Sequence, residues 1–259
     1  MLFDSETPLF LHDITDSSFG IVEAGSYRIG YYISRNKEKT HQENEDSLFA
    51  KMFIDEITLG IADGAGGHPK GRDASFLIGN EIINDTTGNT LKLIESINTK
   101  IIDLKVGARS TLALMKIASG RVRFFCVGDS EIIYWNSHGS EIFSSTPDSS
   151  SGLKVRAGVT SQSESLNDPD RYIVNNLMGD EFIRIESTSG FPIKKGHTIL
   201  LGSDGLFDNL SHEALTNIVG KGLFDKSFEE LVALCNEQDN KTWLKNDDIA
   251  FILVRKIKV

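Results

Sequence analysis

The stretch LGIADGAGGHPKG, residues 59 to 71, takes an apolar run directly into an Asp-Gly pair. A second apolar run ends in the same way in TILLGSDGLFDNL, residues 198 to 210. A strand that enters an Asp-Gly turn places the carboxylate at the end of its sheet, and the glycine lets backbone come close to whatever the carboxylate holds. Taken singly, such an aspartate is most often a turn residue. Because the pattern recurs, we predict that Asp63 and Asp204 meet at one edge of a sandwich.

Further acidic residues lie at predicted strand boundaries. Asp129 stands between two strand patterns in CVGDSEI, and the pair Asp247 and Asp248 opens the last strand in KNDDIAFILV. Glu45 and Asp46, in QENEDSLFA, precede a strand near the start. Carboxylates gathered at one edge repel each other unless cations bind among them. An all-oxygen ligand set without Cys or clustered His favours Mg²⁺ or Mn²⁺, and next Ca²⁺, over zinc.

The order of predicted elements favours an antiparallel α+β fold. Runs of strand length recur along the chain, among them YRIGYYI, EITLGIA, RVRFFCV, HTILLG and IAFILVRK. Helical spacing marks GRDASFLIGNEIIND and the segment after it, and a second helical pair follows residue 210. Ser211 is predicted to cap the first helix of that pair, and SFEE, residues 227 to 230, to form a capping box at the second. Because helices come in pairs, a doubly wound parallel sheet is disfavoured.

Composition limits the classes of partner. Of the 259 residues, 39% are hydrophobic, which is enough for a large core and one substantial domain. The formal charge of −10 argues against nucleic acid, whose phosphates are bound by clustered Lys and Arg. Cys126 and Cys235 lie in apolar surroundings and are interpreted as core residues of a reduced compartment. With no signal-like N-terminus and no apolar run of membrane length, we expect a soluble cytoplasmic protein, monomeric by default.

Six motifs in succession carry a resemblance to a known family. They are NED (44–46), ADGAGGH (62–68), GARSTLAL (107–114), VGDS (127–130), SDGLFD (203–208) and NDDIAFILV (246–254). Their order and spacing resemble those of the metal-dependent protein phosphatases of type 2C, and the DGAGGH form is closer to bacterial members. The resemblance implies a sandwich of two antiparallel sheets flanked by paired helices, with a binuclear metal centre at one end.

The resemblance also implies a reaction and a set of site residues. Phosphoserine or phosphothreonine would be hydrolysed by direct attack of a metal-activated water, with two Mg²⁺ or Mn²⁺ ions bound. Asp63 would bridge the two ions, Asp46 would orient the attacking water, and Asp208 is a further candidate beside a third ion. The implied metal ligands are Glu45, Asp63, the Gly64 carbonyl, Asp204, Asp247 and, for the third and weaker ion, Asp129.

Residue 41 departs from the family pattern. Many members have an arginine five residues before Asp46, where it binds the substrate phosphate, whereas this chain has His41. An imidazole can donate to phosphate but offers neither a fixed charge nor a bidentate fork, so weaker phosphate binding is expected. His41 as an ordinary surface turn residue is an equal alternative. Other cations that would substitute are Arg35, Lys39, Arg72 and Arg109.

Domain organisation and function are interpreted together. We assign residues 1–20 to an N-terminal extension and 21–259 to a single catalytic domain with a flap-like insertion at about 144–180. By composition the Ser-rich stretch 144–170 is a surface loop, while the resemblance favours a flap beside the active site.

Two functional classes remain open. One is an active phosphatase with a phosphoprotein substrate and a cognate kinase. The other is a catalytically weak or inactive relative that binds a phosphoprotein or a kinase as a regulatory module. Retention of every metal carboxylate favours the first, since so many charges are costly to bring together without use. The missing arginine favours the second, and a metal-binding sandwich without catalysis is a distant third.

Overall fold

Two antiparallel sheets make up the centre of the computed structural model, which describes residues 7–38, 43–53, 55–65, 70–237 and 245–258. Each sheet is ordered by hydrogen-bonded neighbours, and every pairing is antiparallel. The first sheet has the order β1 (Leu9–His12), β4 (Asp46–Phe53), β5 (Glu56–Asp63), β6 (Leu112–Ala118) and β7 (Arg121–Val127), with the short strands β10 (Glu186–Ser187) and β11 (Phe191–Pro192) on β7. The second has the order β2 (Ser17–Ala24), β3 (Tyr27–Ser34), β13 (Ile249–Lys256), β12 (Thr198–Gly202), β8 (Glu131–Trp135) and β9 (Glu141–Ser144).

Helices cover both outer faces of this sandwich. On the first sheet lie α1 (Gly71–Asn84) and α2 (Thr90–Asp103), and on the second lie α5 (Asp204–Phe207), α6 (His212–Val219) and α7 (Phe224–Asn236). Between β9 and β10 are α3 (Ser150–Arg156) and α4 (Gln162–Ser165). In the described ranges, no helix is long and apolar enough to cross a bilayer.

The continuous apolar runs of the sequence reflect strands that are buried on both faces. Along β13, Ile252 and Val254 face the other sheet, while Phe251 and Leu253 pack beneath α6 and α7. Successive side chains of a strand point to opposite faces, so such a strand needs apolar residues at every position. The result is four layers, helix, sheet, sheet and helix, and the predicted fold class is confirmed.

The predicted helix starts have mixed outcomes. Ser211 caps α6 by accepting the Ala214 N–H at 3.2 Å, as predicted. The predicted capping box at residues 227–230 is wrong, because α7 already begins at Phe224 and these residues lie inside it. Phe224 and Phe228 are both buried one turn apart, so burial of this apolar pair extends the helix in the N-terminal direction.

Part of the N-terminal extension assigned to residues 1–20 forms strands. β1 pairs with β4 in the first sheet, and β2, which spans residue 20, pairs with β3 in the second. Leu9 and Leu11 pack against the apolar layer between the sheets. Residues 9–20 are therefore an integral part of both sheets, and the four-residue β1 was too short to give a clear alternation.

Candidate metal centre

Two carboxylates face each other across the β4–β5 hairpin. Asp46 and Asp63 are direct partners in its register, and like charges placed opposite each other in a sheet are destabilising. Asp46 is buried, and its burial, followed by the charges of Asp248 and Asp247, raises the pKa of its carboxyl well above the ordinary value. Burial and the charges of Asp46 and Asp204 do the same to the pKa of Asp63. This end of the hairpin therefore attracts positive charge.

The backbone of Asp63 is fixed by two neighbouring hydroxyl residues. Ser110 Oγ and the Thr111 N–H both donate to the Asp63 carbonyl at 2.8 Å. The Asp63 N–H in turn donates to Thr111 Oγ1 at 3.1 Å, and that hydroxyl lies 2.6 Å from Ser130 Oγ. The motif at 107–114 thus holds the central carboxylate in place, a role that sequence reasoning did not assign to it.

A buried serine holds the side chain of Asp46. Ser203 Oγ donates to Asp46 Oδ2 at 2.9 Å and accepts the Ala250 N–H at 3.0 Å. The Ser203 N–H donates to the Ala250 carbonyl at 2.9 Å. The end of β12, the start of β13 and the first residue of β4 are thereby joined around one carboxylate.

The glycines of the two Asp-Gly pairs permit close crossings of the chain itself. A Cβ on Gly205 would lie 1.9 Å from the Asp248 carbonyl oxygen. A Cβ on Gly64 would lie 2.5 Å from the carbonyl carbon of Gly71. The close approach that the sequence predicted is therefore made by neighbouring backbone, which brings α5 against β13 and α1 against β5.

Neighbouring acids at the start of β13 have different tasks. Asp248 is buried and accepts the backbone N–H groups of Asn36 at 2.7 Å and Glu45 at 2.9 Å. The Glu45 carbonyl in turn accepts the Gly64 N–H at 3.1 Å. Asp248 therefore anchors the approach to β4, and this leaves Asp247 as the carboxylate that we assign to ion binding.

A cavity of about 230 Å³ brings the sequence-predicted ligands together. Tyr172 and Leu177, from the segment between β9 and β10, line part of its wall. All six residues proposed as metal ligands also line it: Glu45, Asp63, Gly64, Asp129, Asp204 and Asp247. The end of β5, the start of α5 and the segment before β13, which are far apart in sequence, thus share one space at the end of the sandwich.

Asp129 and Asp208 extend this acidic region towards a second cavity of about 250 Å³. Asp129 is buried, and burial and the charge of Asp204 raise the pKa of its carboxyl well above the ordinary value. The same two causes raise the pKa of Asp208 to about 7. Arg171 Nε lies 3.8 Å from Asp208 Oδ2. Of the two residues predicted for a third ion, Asp129 lines both cavities and Asp208 lines only the second.

Lys245 is the functional candidate that sequence reasoning missed. Its Nζ contacts Asp204 Oδ2 and lies 3.0 Å from Asp247 Oδ2 and 3.5 Å from Asp208 Oδ2. Burial lowers the pKa of Lys245, but the carboxylates of Asp204, Asp247 and Asp208 outweigh burial and raise it overall. The available signal was a lysine two residues before Asp247 in an otherwise acidic motif.

Of the predicted phosphate-binding cations, the three that the structure describes, Arg35, Arg72 and Arg109, do not line the cavity. His41 and Lys39 lie outside the described residues, so the structure gives no information on them. Arg72 pairs with Asp13 and Glu43, and Arg109 Nε donates to Asp180 Oδ1 at 2.7 Å.

Arg35 donates its backbone N–H to the Asp16 carbonyl and is likewise absent from the cavity wall. Within the described parts of the chain, Lys245 is the only Lys, Arg or His that lines this cavity.

The donor chemistry of the cavity fits hard divalent ions. All its candidate ligands are carboxylate or carbonyl oxygens, which suit Mg²⁺ and Mn²⁺. The raised pKa values of Asp46 and Asp63 follow first from burial and then from neighbouring negative charge, and a bound cation would offset that charge. Among residues 7–38, 43–53, 55–65, 70–237 and 245–258, no three acidic, His or Cys side chains are already converged on a single ion position. Lys245 stands between carboxylates that would have to converge.

The chain was compared with known protein families, curated proteins and solved structures. The chain matches no family model. It is 26% identical over 199 residues to a putative protein phosphatase 2C-type of Streptococcus pyogenes, covering 70% of this chain and 80% of that protein.

Among solved structures, it is similar to the serine/threonine phosphatase PstP of Mycobacterium tuberculosis, with a TM-score of 0.73, 22% identity and coverage of 90% and 99% of the two chains. The catalytic domain of PstP in complex with two manganese ions gives a TM-score of 0.71 at 20% identity, again with 90% and 99% covered. These likenesses agree with the resemblance carried by the six motifs.

Proposed function

We propose that this chain, which has the fold of the metal-dependent protein phosphatases, hydrolyses phosphoserine and phosphothreonine in proteins. The observation that carries the proposal is the gathering of six predicted ligand residues from distant motifs around one cavity. The relative in Streptococcus pyogenes and the PstP structures, which are named as phosphatases, support the same reaction class. The manganese ions of PstP support a two-ion cofactor.

The proposed roles are those that the resemblance to the metal-dependent protein phosphatases implies, for residues that line one cavity. Glu45, Asp63 and the Gly64 carbonyl would hold one ion, and Asp63, Asp204 and Asp247 the other. When bound, two such ions supply a water nucleophile at neutral pH and neutralise the phosphoryl group under attack. Ser110 and Thr111 keep Asp63 in position through its backbone, at hydrogen-bond distances of 2.8 to 3.1 Å.

Asp46 is proposed to orient the attacking water and accept its proton. Its buried position and raised pKa suit a carboxylate that takes up a proton. The hydrogen bond from Ser203 Oγ to Asp46 Oδ2 leaves Oδ1 as the oxygen that we assign to the water. Asp129 and Asp208 are proposed to bind a third, weaker ion at the border with the second cavity.

The organisation of the chain completes the proposal. Residues from β1 to β13 form one catalytic domain, and residues of about 144–180 form its flap. Tyr172 and Leu177 from the flap line the cavity wall and would exclude water from the cavity. A cognate kinase that supplies the phosphoprotein, action in the cytoplasm and a monomeric state are expectations that the sequence supports.

The placement of Lys245 favours one alternative. Because this ammonium group contacts two proposed metal ligands, a relative with weak metal binding and little catalysis would also fit the cavity. Such a protein would act as a regulatory module that binds a phosphoprotein or a kinase.

Hydrolysis of an aryl phosphate tests the proposal against this alternative. The wild type is expected to be active with Mn²⁺ and inactive with EDTA, and Asp63→Asn to lower kcat/KM by about 10³-fold, since it removes the carboxylate that both ions share. Asp225→Asn is the matched control, because Asp225 pairs with Arg28 far from the cavity. Binding of Mn²⁺ by the wild type without any turnover would favour the regulatory module.

A further inference from the structure

Lys245 holds a cationic group inside the proposed metal centre. We infer that its ammonium group is an internal counter-ion that occupies the Asp204 and Asp247 side of the centre and competes there with a divalent ion. The inference rests on the proposed function, because only a metal centre gives the lysine an ion to compete with. It assigns to Lys245 the control of metal affinity at this side of the centre.

The main chain of Lys245 is anchored so that the side chain reaches the carboxylates. The Lys245 N–H donates to Asn209 Oδ1, and Asn209 Nδ2 donates to the Lys245 carbonyl, both at 2.9 Å. Asn209 Nδ2 also donates to the Gly205 carbonyl at 2.8 Å, one residue after Asp204. The lysine is therefore tied to the same short helix, α5, that carries Asp204.

The ammonium group has the coordination of a counter-ion. It has three donors, and three carboxylates lie around it: Asp204 in contact, Asp247 at 3.0 Å and Asp208 at 3.5 Å. The Lys245 side chain is only 14% exposed. With its donors directed at carboxylates and little exposure, it is poorly placed to bind a substrate phosphate in this arrangement.

Charge explains the expected effect on metal binding. Asp63, Asp204 and Asp247 offer three negative charges to the second proposed ion, and Lys245 cancels one of them. An ion that binds here must displace the ammonium group from Asp204 and Asp247. Asp208 and the ring of Tyr172, whose centroid lies 5.4 Å from Nζ, are the neighbours that would keep the displaced group nearby.

Calorimetric titration of Mn²⁺ into metal-stripped protein tests the inference without relying on activity. Lys245→Gln is expected to bind Mn²⁺ at least about tenfold more tightly than the wild type, since one opposing charge has been removed. Lys245→Arg, which keeps the charge, should stay near the wild type. Lys116→Gln is the matched control, because Lys116 is also 14% exposed and pairs with Glu56 at 2.6 Å, outside the centre.

Thermal unfolding gives a second readout on the same proteins. The rise in Tm on adding Mn²⁺ should be larger for Lys245→Gln than for the wild type, because the metal-free variant lacks its counter-ion. Lys245→Met, which keeps the apolar stem, repeats the test if the glutamine variant does not fold.

The outcomes separate the two proposals. Equal or weaker Mn²⁺ binding by Lys245→Gln, with normal binding by the wild type, overturns the role of the lysine and leaves the proposed function standing. A raised KM for aryl phosphate with unchanged Mn²⁺ affinity likewise overturns it and makes Lys245 a phosphate ligand. Absence of Mn²⁺ binding in the wild type and in the variants overturns both proposals.

Discussion

The two ends of the β12–β13 pair carry charged groups of opposite sign in different environments. At one end, Asp204 and Asp247 lie beside Asp63, and more negative than positive charge surrounds the cavity. At the other end, Arg255 is buried with Thr198 Oγ1 at 2.8 Å and two backbone carbonyls at 2.6 and 2.7 Å. At one end of these two strands the negative charge of the carboxylates exceeds the positive charge, and at the other end the buried cation has its hydrogen-bond acceptors in place.

This difference separates function from stability within one element. The carbonyls that accept from Arg255 belong to Val219 and Gly222, at the C-terminal end of α6, where a cation is favourable. Tyr134 Oη lies 2.6 Å from His197 Nδ1 at the same end. Substitutions there should change the free energy of unfolding, whereas substitutions at the acidic end should change metal binding and activity.

The largest expected effect is at the Arg255 end. Arg255→Met should lower the free energy of unfolding by about 3 kcal/mol, because it leaves two buried acceptors and one part-buried acceptor without their charged donor. Urea unfolding measures this loss, and kcat of the folded variant with Mn²⁺ should stay unchanged. Arg123→Met, at an exposed arginine on β7, is the control and should cost less than about 0.5 kcal/mol. Equal losses in the two variants would contradict the comparison.

An intermediate effect is expected from pH at the acidic end. The pKa of Asp208 is raised to about 7 in the folded protein, above its unfolded value, as are the pKa values of Asp46 and Asp63. A raised pKa stabilises the fold below the unfolded value, and this contribution is lost as pH rises through the folded value. Without metal, unfolding free energy should therefore fall by about 1 to 3 kcal/mol between pH 4 and 7.

Bound metal should abolish this pH dependence of the unfolding free energy. In saturating Mg²⁺ or Mn²⁺ the decrease in unfolding free energy towards pH 7 should disappear, because the ions favour the charged carboxylates. Urea titrations at several pH values, with EDTA and with metal, measure both curves. Parallel curves would mean that the acidic residues are not neutralised by the added ion.

The smallest effect has the opposite sign and comes from His197. Burial, and then the charges of Lys194 and Lys256, lower the pKa of His197. A lowered pKa stabilises the fold above the unfolded value of about 6.5, and the contribution is lost as pH falls. His197→Gln should remove this contribution to the loss of unfolding free energy below about pH 6.5. A variant with the same acid sensitivity as the wild type would exclude His197 as its source.

The sequence predicted the acidic end better than the rest because its residues follow strong local patterns. Asp63, Asp204 and Asp247 each stand beside an apolar strand; antiparallel pairing of β12 with β13 brings Asp204 and Asp247 together, and packing of the two sheets adds Asp63. The hydroxyls of Ser110, Thr111 and Ser203 were not predicted as supports, because a hydroxyl has no periodic signature and its partner is known only after folding.

Lys245 and the start of the chain were missed for related reasons. The partners of Lys245 come from α5 and β13, so its role depends on tertiary contacts that no local pattern records. The four half-buried residues of β1 are too few to give an alternation that identifies a strand. His41, which departs from the family pattern, lies outside the described residues, so its role stays a prediction.

The position of β13 has a consequence for biosynthesis. It follows every other strand of its sheet in sequence, yet it lies between β3 and β12. Until it emerges from the ribosome, both of those strands present an open edge, and open edges invite pairing with other chains. Asp247 directly precedes β13, so it reaches the proposed metal centre when β13 pairs with β3 and β12. A nascent chain would therefore gain its last proposed ligand only when these open strand edges become paired.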